Sequence, residues 1–165
     1  MSSKIKSINE ISKISEKGRA LGESIVTTSG SFDILHYAHI HFLELARSEG
    51  DCLILLLNSD ASIRKFKGYR RPVIPQNERA MMLSALECVD YVTIFDDDKP
   101  LNYISMIKPK VHVKGGSFLP ERIKEEKELV ESWNGEYKTF PLEEGYSTTA
   151  IIEKILKVYG NYPNV

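Results

Sequence analysis

The chain has 165 residues, of which 42% are hydrophobic and 27% charged, with a net charge of −1. That length suits one domain with a real core, and near-neutrality argues against nucleic acid or an anionic membrane as the main partner. No stretch approaches the roughly 18 apolar residues of a membrane span, and Met1-Ser2-Ser3-Lys4 leads into a charged amphipathic segment rather than the apolar core of a signal peptide, so a cytoplasmic protein is expected.

In chain order, an N-terminal helix is expected near Ile8–Leu21, ended by Gly22. Residues 1–22 are therefore read as a helical segment packed on a domain of residues 23–165. Apolar runs predict strands at Ser24–Thr28, Cys52–Asn58, Tyr91–Phe95, Val111–Lys114 and Tyr137–Phe140. Leu53-Ile54-Leu55-Leu56-Leu57 is apolar throughout, as a central strand covered on both faces requires. Between the strands lie helical patterns: Ile40, Leu43 and Ala46 at helical spacing, Gln76–Glu87 after Pro75, a short Tyr103–Ile107, a charged surface helix Glu121–Trp133 anchored by Trp133, and Thr148–Tyr159 with Ser147 as N-cap. Alternating strands and helices give an α/β, doubly wound parallel sheet of about five strands in a single domain, with ligands at the carboxyl ends of the strands. Cys52 and Cys88 sit in apolar company and are expected as buried free thiols.

The richest stretch is Thr27-Thr28-Ser29-Gly30-Ser31-Phe32-Asp33-Ile34-Leu35-His36-Tyr37-Ala38-His39. A strand runs into small residues and then into two histidines at the mouth of a helix, where free backbone N–H groups and the positive helix end attract an anion. The residues alone leave two readings open, a phosphate site or histidines that merely cap and pack, with His41 as a fortuitous third. Zinc-type ligand spacing does not accompany them. Gly30-Ser31-Phe32-Asp33-Ile34-Leu35-His36-Tyr37-Ala38-His39 resembles the Gly-x-Phe-Asp-x-x-His-x-Gly-His signature of the cytidylyltransferase-like nucleotidyltransferases. Asn58-Ser59-Asp60-Ala61-Ser62, Lys67-Gly68, Arg71-Pro72-Val73, Pro75, Val113-Lys114-Gly115-Gly116 and Gly145-Tyr146-Ser147-Thr148-Thr149 resemble the heptose-phosphate adenylyltransferase branch, in family order from about Ile25 to Ile155. A Rossmann-like sheet is implied.

The resemblance implies that His36, His39 and Lys114 are catalytic, stabilising charge on the α-phosphate. It implies nucleotide contacts from Ser29, Gly30, Ser31, Phe32, Arg47, Gly115, Gly116, Ser147, Thr148 and Thr149, and acceptor contacts from Asp33, Asn58, Asp60, Lys67 and Arg71. Each segment also has a plainer explanation. The basic stretch Arg64–Pro72 reads as a solvated loop, Gly115-Gly116 as an ordinary strand-terminating turn, Ser147 as a cap alone, and His112 as structural. Asp96-Asp97-Asp98 reads as a solvated loop rather than a magnesium site. Three positions depart from family patterns: Ala38 replaces Gly, Ser117 replaces Asp, and Leu142 stands where glycerol-phosphate cytidylyltransferases carry Arg.

The implied reaction is transfer of an adenylyl group from ATP, with Mg2+ carried largely by the nucleotide, to D-glycero-D-manno-heptose 1-phosphate, giving ADP-heptose and pyrophosphate for a surface glycan. A CTP- or GTP-dependent enzyme acting on another sugar or polyol phosphate is the alternative, and a nucleotide-binding module without turnover is a third. A homodimer is expected, as is a sugar kinase on a separate chain.

Overall fold

The computed structural model describes residues 2–116, 120–141, 143 and 145–160; Ser117 and Leu142 lie outside them. Five strands, β1 (Ile25–Gly30), β2 (Cys52–Asn58), β3 (Tyr91–Phe95), β4 (Val111–Gly115) and β5 (Glu136–Phe140), form one parallel sheet in the order β3-β2-β1-β4-β5. The order reverses between β1 and β4, so their carboxyl ends open a crevice in the middle of the sheet, where a ligand fits. Pairing of Thr28 with Val113 sets Ser29 and Gly30 beside Lys114 and Gly115 at that crevice.

The predicted strands all form, with ends that shift by one or two residues. β2 shows why the reading was sound. Leu53, Leu55 and Leu57 pack with Phe42, Leu43, Ala80 and Leu83 on one face, while Cys52, Ile54 and Leu56 pack with Ile11, Ile104, Ile107 and Val130 on the other. Period-two alternation feeds both layers from one continuous apolar run. The helices on the first face are α2 (Tyr37–Arg47) and α4 (Gln76–Ser84); α1 (Ile8–Ala20), α5 (Leu101–Ile107) and α6 (Pro120–Glu131) cover the second.

The N-terminal helix starts at a capping box: the Ser7 hydroxyl accepts from the Glu10 N–H, and the Glu10 carboxylate accepts from the Ser7 N–H at 2.9 Å. It ends at Ala20, and Gly22 with φ +83° turns the chain toward β1. Ahead of it, residues 4–6 run along the outer side of β3. Ile5 bridges Val92 in parallel, and Val92 exchanges hydrogen bonds with Lys6 and Lys4 at 3.0 Å each.

One element departs from the expectation of a basic loop. Asp60–Lys67 is a helix, α3, capped by the Ser59 hydroxyl, with Arg64, Lys65 and Lys67 in its last turn and Gly68 at φ +85° ending it. Only Ser62 and Ile63 are buried in it, so its apolar periodicity is too sparse to read against the charge. The last helix, α7 (Thr148–Tyr159), starts where expected, with Ser147 Oγ accepting from Ala150 N–H at 3.0 Å. Cys52 and Cys88 are free thiols, and burial pushes Cys52 up to about 12. Trp133 anchors the segment after α6 through a 3.0 Å bond from its indole N–H to the Pro109 carbonyl.

Candidate functional site

Between β1 and α2 the chain makes a tight corner. Phe32 and Ile34 take left-handed conformations, φ 44° and 41°, where side-chain-bearing residues rarely sit. Gly30 is needed for packing there: a Cβ on it would lie 2.8 Å from the Phe32 ring. The corner delivers His36 as the extended N-cap of α2 and His39 one turn on. Their rings stack, 3.8 Å between centroids and 24° apart, and the Phe32 ring packs tilted against His39 at 5.2 Å.

Both Nδ1 atoms are buried and without a hydrogen-bond partner among the described residues. A proton there would be an orphaned donor, which favours the tautomer protonated at Nε2 in each ring. Burial lowers the His36 pKa; burial, then His36 and Lys67, hold His39 down to about 4. The pair at neutral pH is two neutral rings that can donate from Nε2, since two cations face to face in a half-buried corner would repel.

The cleft in front of them has a volume of about 480 Å³ and is lined by His36, His39, Lys67, Arg71 and the Tyr146–Thr149 turn. A smaller recess of about 130 Å³, formed by residues 29–33, Phe42 and Gly115, shares His39, Lys67 and Thr148 with it. Ser29, Gly30, Ser31, Phe32, Gly115, Ser147, Thr148 and Thr149 are thus brought together with both histidines. Gly116 lies beside them at φ 118°, its N–H donating to the Phe140 carbonyl at 2.8 Å.

Two cations face this space. Lys67 makes no ion pair among the described residues, and burial, then Arg71, lowers its pKa. Arg71 is aimed by Asp33, which accepts from Arg71 Nε at 2.7 Å and from the backbone N–H groups of Val73 (3.0 Å) and Ile74 (2.9 Å). The Asp33 side chain is 1% exposed. Burial pushes its carboxyl up, but the Ile74 and Val73 N–H groups and Arg71 outweigh this and hold it below the usual range. Its carbonyl also accepts from Thr148 Oγ1 at 2.8 Å, tying α7 to the same corner. Asp33, expected as an acceptor contact, has both oxygens engaged by internal donors and works as a latch between three segments.

Four expected site residues are placed otherwise. Arg47 sits in the last turn of α2, at the opposite end of the helix from the histidines. It pairs with Asp90 at 3.1 Å and donates to the Gly50 carbonyl. A helix whose N-terminus meets the carboxyl ends of the strands must end near their amino ends, and that polarity removes Arg47 from the cleft. Asn58 and Asp60 are also internal: Asn58 Nδ2 donates to Ser62 Oγ at 3.0 Å, and Asp60 pairs with Arg79 at 2.8 Å. Lys114 lines neither opening, its Nζ donating to Ser29 Oγ (2.7 Å) and to the Glu126 carboxylate (3.0 and 3.1 Å).

Arg79, fully buried, was not expected. Its guanidinium donates to the carbonyls of Ser31 (2.5 Å), Asn58 (2.9 Å) and Ile74 (2.9 Å), holding the ends of β1 and β2 and the Asp33-bound loop in one frame. The available signal was an arginine beside Ala80 on the buried side of α4. Tyr146, on the cleft wall and 5.3 Å from Tyr37 between ring centroids, was likewise missed as a lining residue.

The cytidylyltransferase-like family model matches residues 27–154. Bifunctional protein HldE of Geobacter metallireducens is 49% identical over 157 residues, which is 95% of this chain and 32% of that protein. Bifunctional protein HldE of Wolinella succinogenes is 46% identical over 153 residues, 92% of this chain and 31% of the relative. The chain spans about a third of the length of these curated relatives. Two solved structures share the fold. The lipopolysaccharide core biosynthesis protein of Thermoplasma volcanium has a TM-score of 0.62 at 23% identity, covering 76% of this chain and all of that one. A pantoate-beta-alanine ligase of Francisella tularensis also has a TM-score of 0.62, at 15% identity over 94% of this chain and 77% of that one.

Proposed function

The chain belongs to the cytidylyltransferase-like family, and from that premise we propose that it transfers an adenylyl group from ATP to D-glycero-D-manno-heptose 1-phosphate, forming ADP-heptose and pyrophosphate. One observation carries the reaction type: the stacked His36–His39 pair opens onto a cleft whose other walls are Lys67, Arg71 and the capped Ser147–Thr149 turn. The likeness of Lys67-Gly68, Arg71-Pro72-Val73 and Lys114-Gly115-Gly116 to the heptose branch, with that to the HldE proteins, supports the donor and acceptor.

The acceptor phosphate is already an anion at neutral pH, so no base is needed to make it a nucleophile. Its oxygen attacks the α-phosphorus in line, the bond to the β-phosphate oxygen breaks, and pyrophosphate leaves with the electron pair. Catalysis is then positioning plus stabilisation of charge on the phosphate oxygens. His36 and His39 donate from Nε2 to the α-phosphate, Lys67 and Arg71 supply the positive charge, and the free N–H groups at the start of α7 receive the terminal phosphates.

Mg2+ is proposed as a companion of the triphosphate. Among the described residues no cluster of three His, Cys, Asp or Glu could hold an ion, and the cleft presents donors while Asp33 is engaged internally. Such a lining suits an ion held by the nucleotide, where it would neutralise phosphate charge, and we assign it no protein ligand. A homodimer, a separate kinase supplying the sugar phosphate and a cytoplasmic address belong to the same proposal. No helix among the described residues is long and apolar enough to cross a membrane.

Pyrophosphate release tests the reading, with ATP, CTP, GTP and UTP each offered both anomers of heptose 1-phosphate and a panel of other sugar and polyol phosphates. Turnover with ATP and a heptose 1-phosphate, lowered about 100-fold or more in His36→Ala and His39→Ala, is the expected result. Turnover only with another pair would replace the substrates, and none with any pair would remove the enzyme reading.

A further inference from the structure

On the α6 side of the sheet a ladder of polar side chains climbs from the core to the cleft. Residues 27 and 29 of β1 share a face, as do 112 and 114 of β4, because side chains alternate along a strand. At the lower rung, buried Thr27 Oγ1 lies 2.7 Å from His112 Nδ1. At the upper rung, Lys114 Nζ donates to Ser29 Oγ. Glu126, on the middle of α6 and only 5% exposed, spans both rungs. Its carboxylate takes Lys114 with both oxygens and accepts from Tyr137 OH of β5 at 3.2 Å, with His112 Nε2 at 3.5 Å.

An ammonium has three N–H donors. Those of Lys114 meet three acceptor oxygens, at 2.7, 3.0 and 3.1 Å, so none remains for a ligand. Drawing Lys114 into the cleft would strand a buried carboxylate, which is strongly unfavourable. Lys67 and Arg71 are different, since both residues already line the opening.

We propose that Glu126 is a positioning residue of the nucleotide pocket, fixing Lys114 as a neutralised brace that orients Ser29 and the Gly115 turn instead of reaching phosphate. β1, β4, β5 and α6 are tied together one residue before Gly30, on the wall where the smaller recess begins. The pocket wall then keeps its shape without a ligand. The inference rests on the reading above only in taking the site for a nucleotide pocket.

The test uses Glu126→Gln, Lys114→Met, the double variant and Lys67→Met, read by thermal melting, by Mg-ATP affinity without acceptor, and by amide hydrogen exchange over residues 28–32 of the free protein. Each single change at the brace should lower Tm, weaken Mg-ATP about 10-fold, and speed exchange at residues 28–32. The uncharged pair Lys114→Met/Glu126→Gln should recover Tm but neither the affinity nor the protection. Lys67→Met should weaken binding while leaving Tm and exchange unchanged. Recovery of Tm, affinity and protection together in the double variant would reduce the pair to a structural one and overturn the proposal. So would Glu126→Gln binding Mg-ATP as tightly as, or more tightly than, the unmodified protein. If the unmodified protein binds no Mg-ATP, the nucleotide reading fails, and unchanged exchange in Glu126→Gln would sink the brace separately.

Discussion

Two cation–carboxylate pairs flank the end of β1, and they use the same chemistry to opposite ends. In the Asp33–Arg71 pair, the carboxylate binds one edge of the guanidinium through Nε and takes its remaining bonds from backbone N–H groups. Arg71 is oriented by the contact and still faces the cleft. In the Glu126–Lys114 pair, the carboxylate grips a point charge with both oxygens, and Ser29 takes the remaining proton. A fork-shaped cation can be held and offered at once; an ammonium gripped this way is consumed. Being basic and next to a glycine is therefore not enough to make a residue a phosphate ligand. What decides is how many of its donors the fold has already engaged.

The largest effect should come from the latch. Asp33→Ala leaves two backbone donors and Arg71 unpartnered, so urea denaturation should show a loss of about 3–5 kcal/mol; a loss below 1 kcal/mol would mean that the 68–75 loop is held by something else. Next is the cation of the cleft that no carboxylate holds: Lys67→Met should lower kcat/KM about 100-fold, roughly 2.7 kcal/mol of transition-state stabilisation, with Tm unchanged because Lys67 is exposed and makes no ion pair among the described residues. Lys114→Met losing activity without losing Tm would erase the distinction between the two pairs.

The histidine corner adds a pH signature. In the unfolded chain His39 takes its proton near 6.5, whereas in the folded protein it does so only at about 4. Between those values the unfolded state binds more protons, so stability falls as pH is lowered, by up to about 1.4 kcal/mol per pH unit from this group. His39→Asn should flatten that slope in denaturation curves taken between pH 6.5 and 4. Glu126 contributes in a lower window: burial raises its carboxyl, but His112 and Lys114 outweigh this and hold it at about 2, so its stabilisation fades from about 4.5 downward. The smallest effect is expected at Arg47, whose ion pair with Asp90 is a third exposed. Arg47→Ala should cost less than about 1 kcal/mol and leave pyrophosphate release unchanged, since the residue stands outside the cleft.

Most of the fold and most of the cleft lining were legible in the sequence; what was not is how the lining is held. β2 was legible because five consecutive apolar residues leave no polar face, and α7 because Ser147 caps it. His36 and His39 were legible because their function depends on neighbours in sequence. The remaining site residues depend on partners far along the chain. Glu126 looked like one more charge on a surface helix, and nothing near it in sequence announces Lys114 or Tyr137. Arg79 is 48 residues from the Ser31 carbonyl it holds. The α3 helix was hidden by its own composition, since a helix needing only Ser62 and Ile63 inside looks like a basic loop. Arg47 was misplaced because a position on a helix says nothing about which end of the sheet it reaches until the helix polarity is fixed.

The backbone of residues 4–6 has a consequence for how the protein behaves in company. β3 is an outer strand of the sheet, and its unpaired side would offer Val92 N–H and C=O to any extended chain that drifted past. Lys4 and Lys6 occupy those groups, while Lys4 Nζ grips the Leu86 and Val89 carbonyls at 3.0 and 2.6 Å. The opposite outer strand, β5, is guarded differently, by the charges of Glu136 and Lys138. Displacing residues 4–6 from β3 should thus show first as concentration-dependent self-association, with the chemistry at the far ends of the strands still intact.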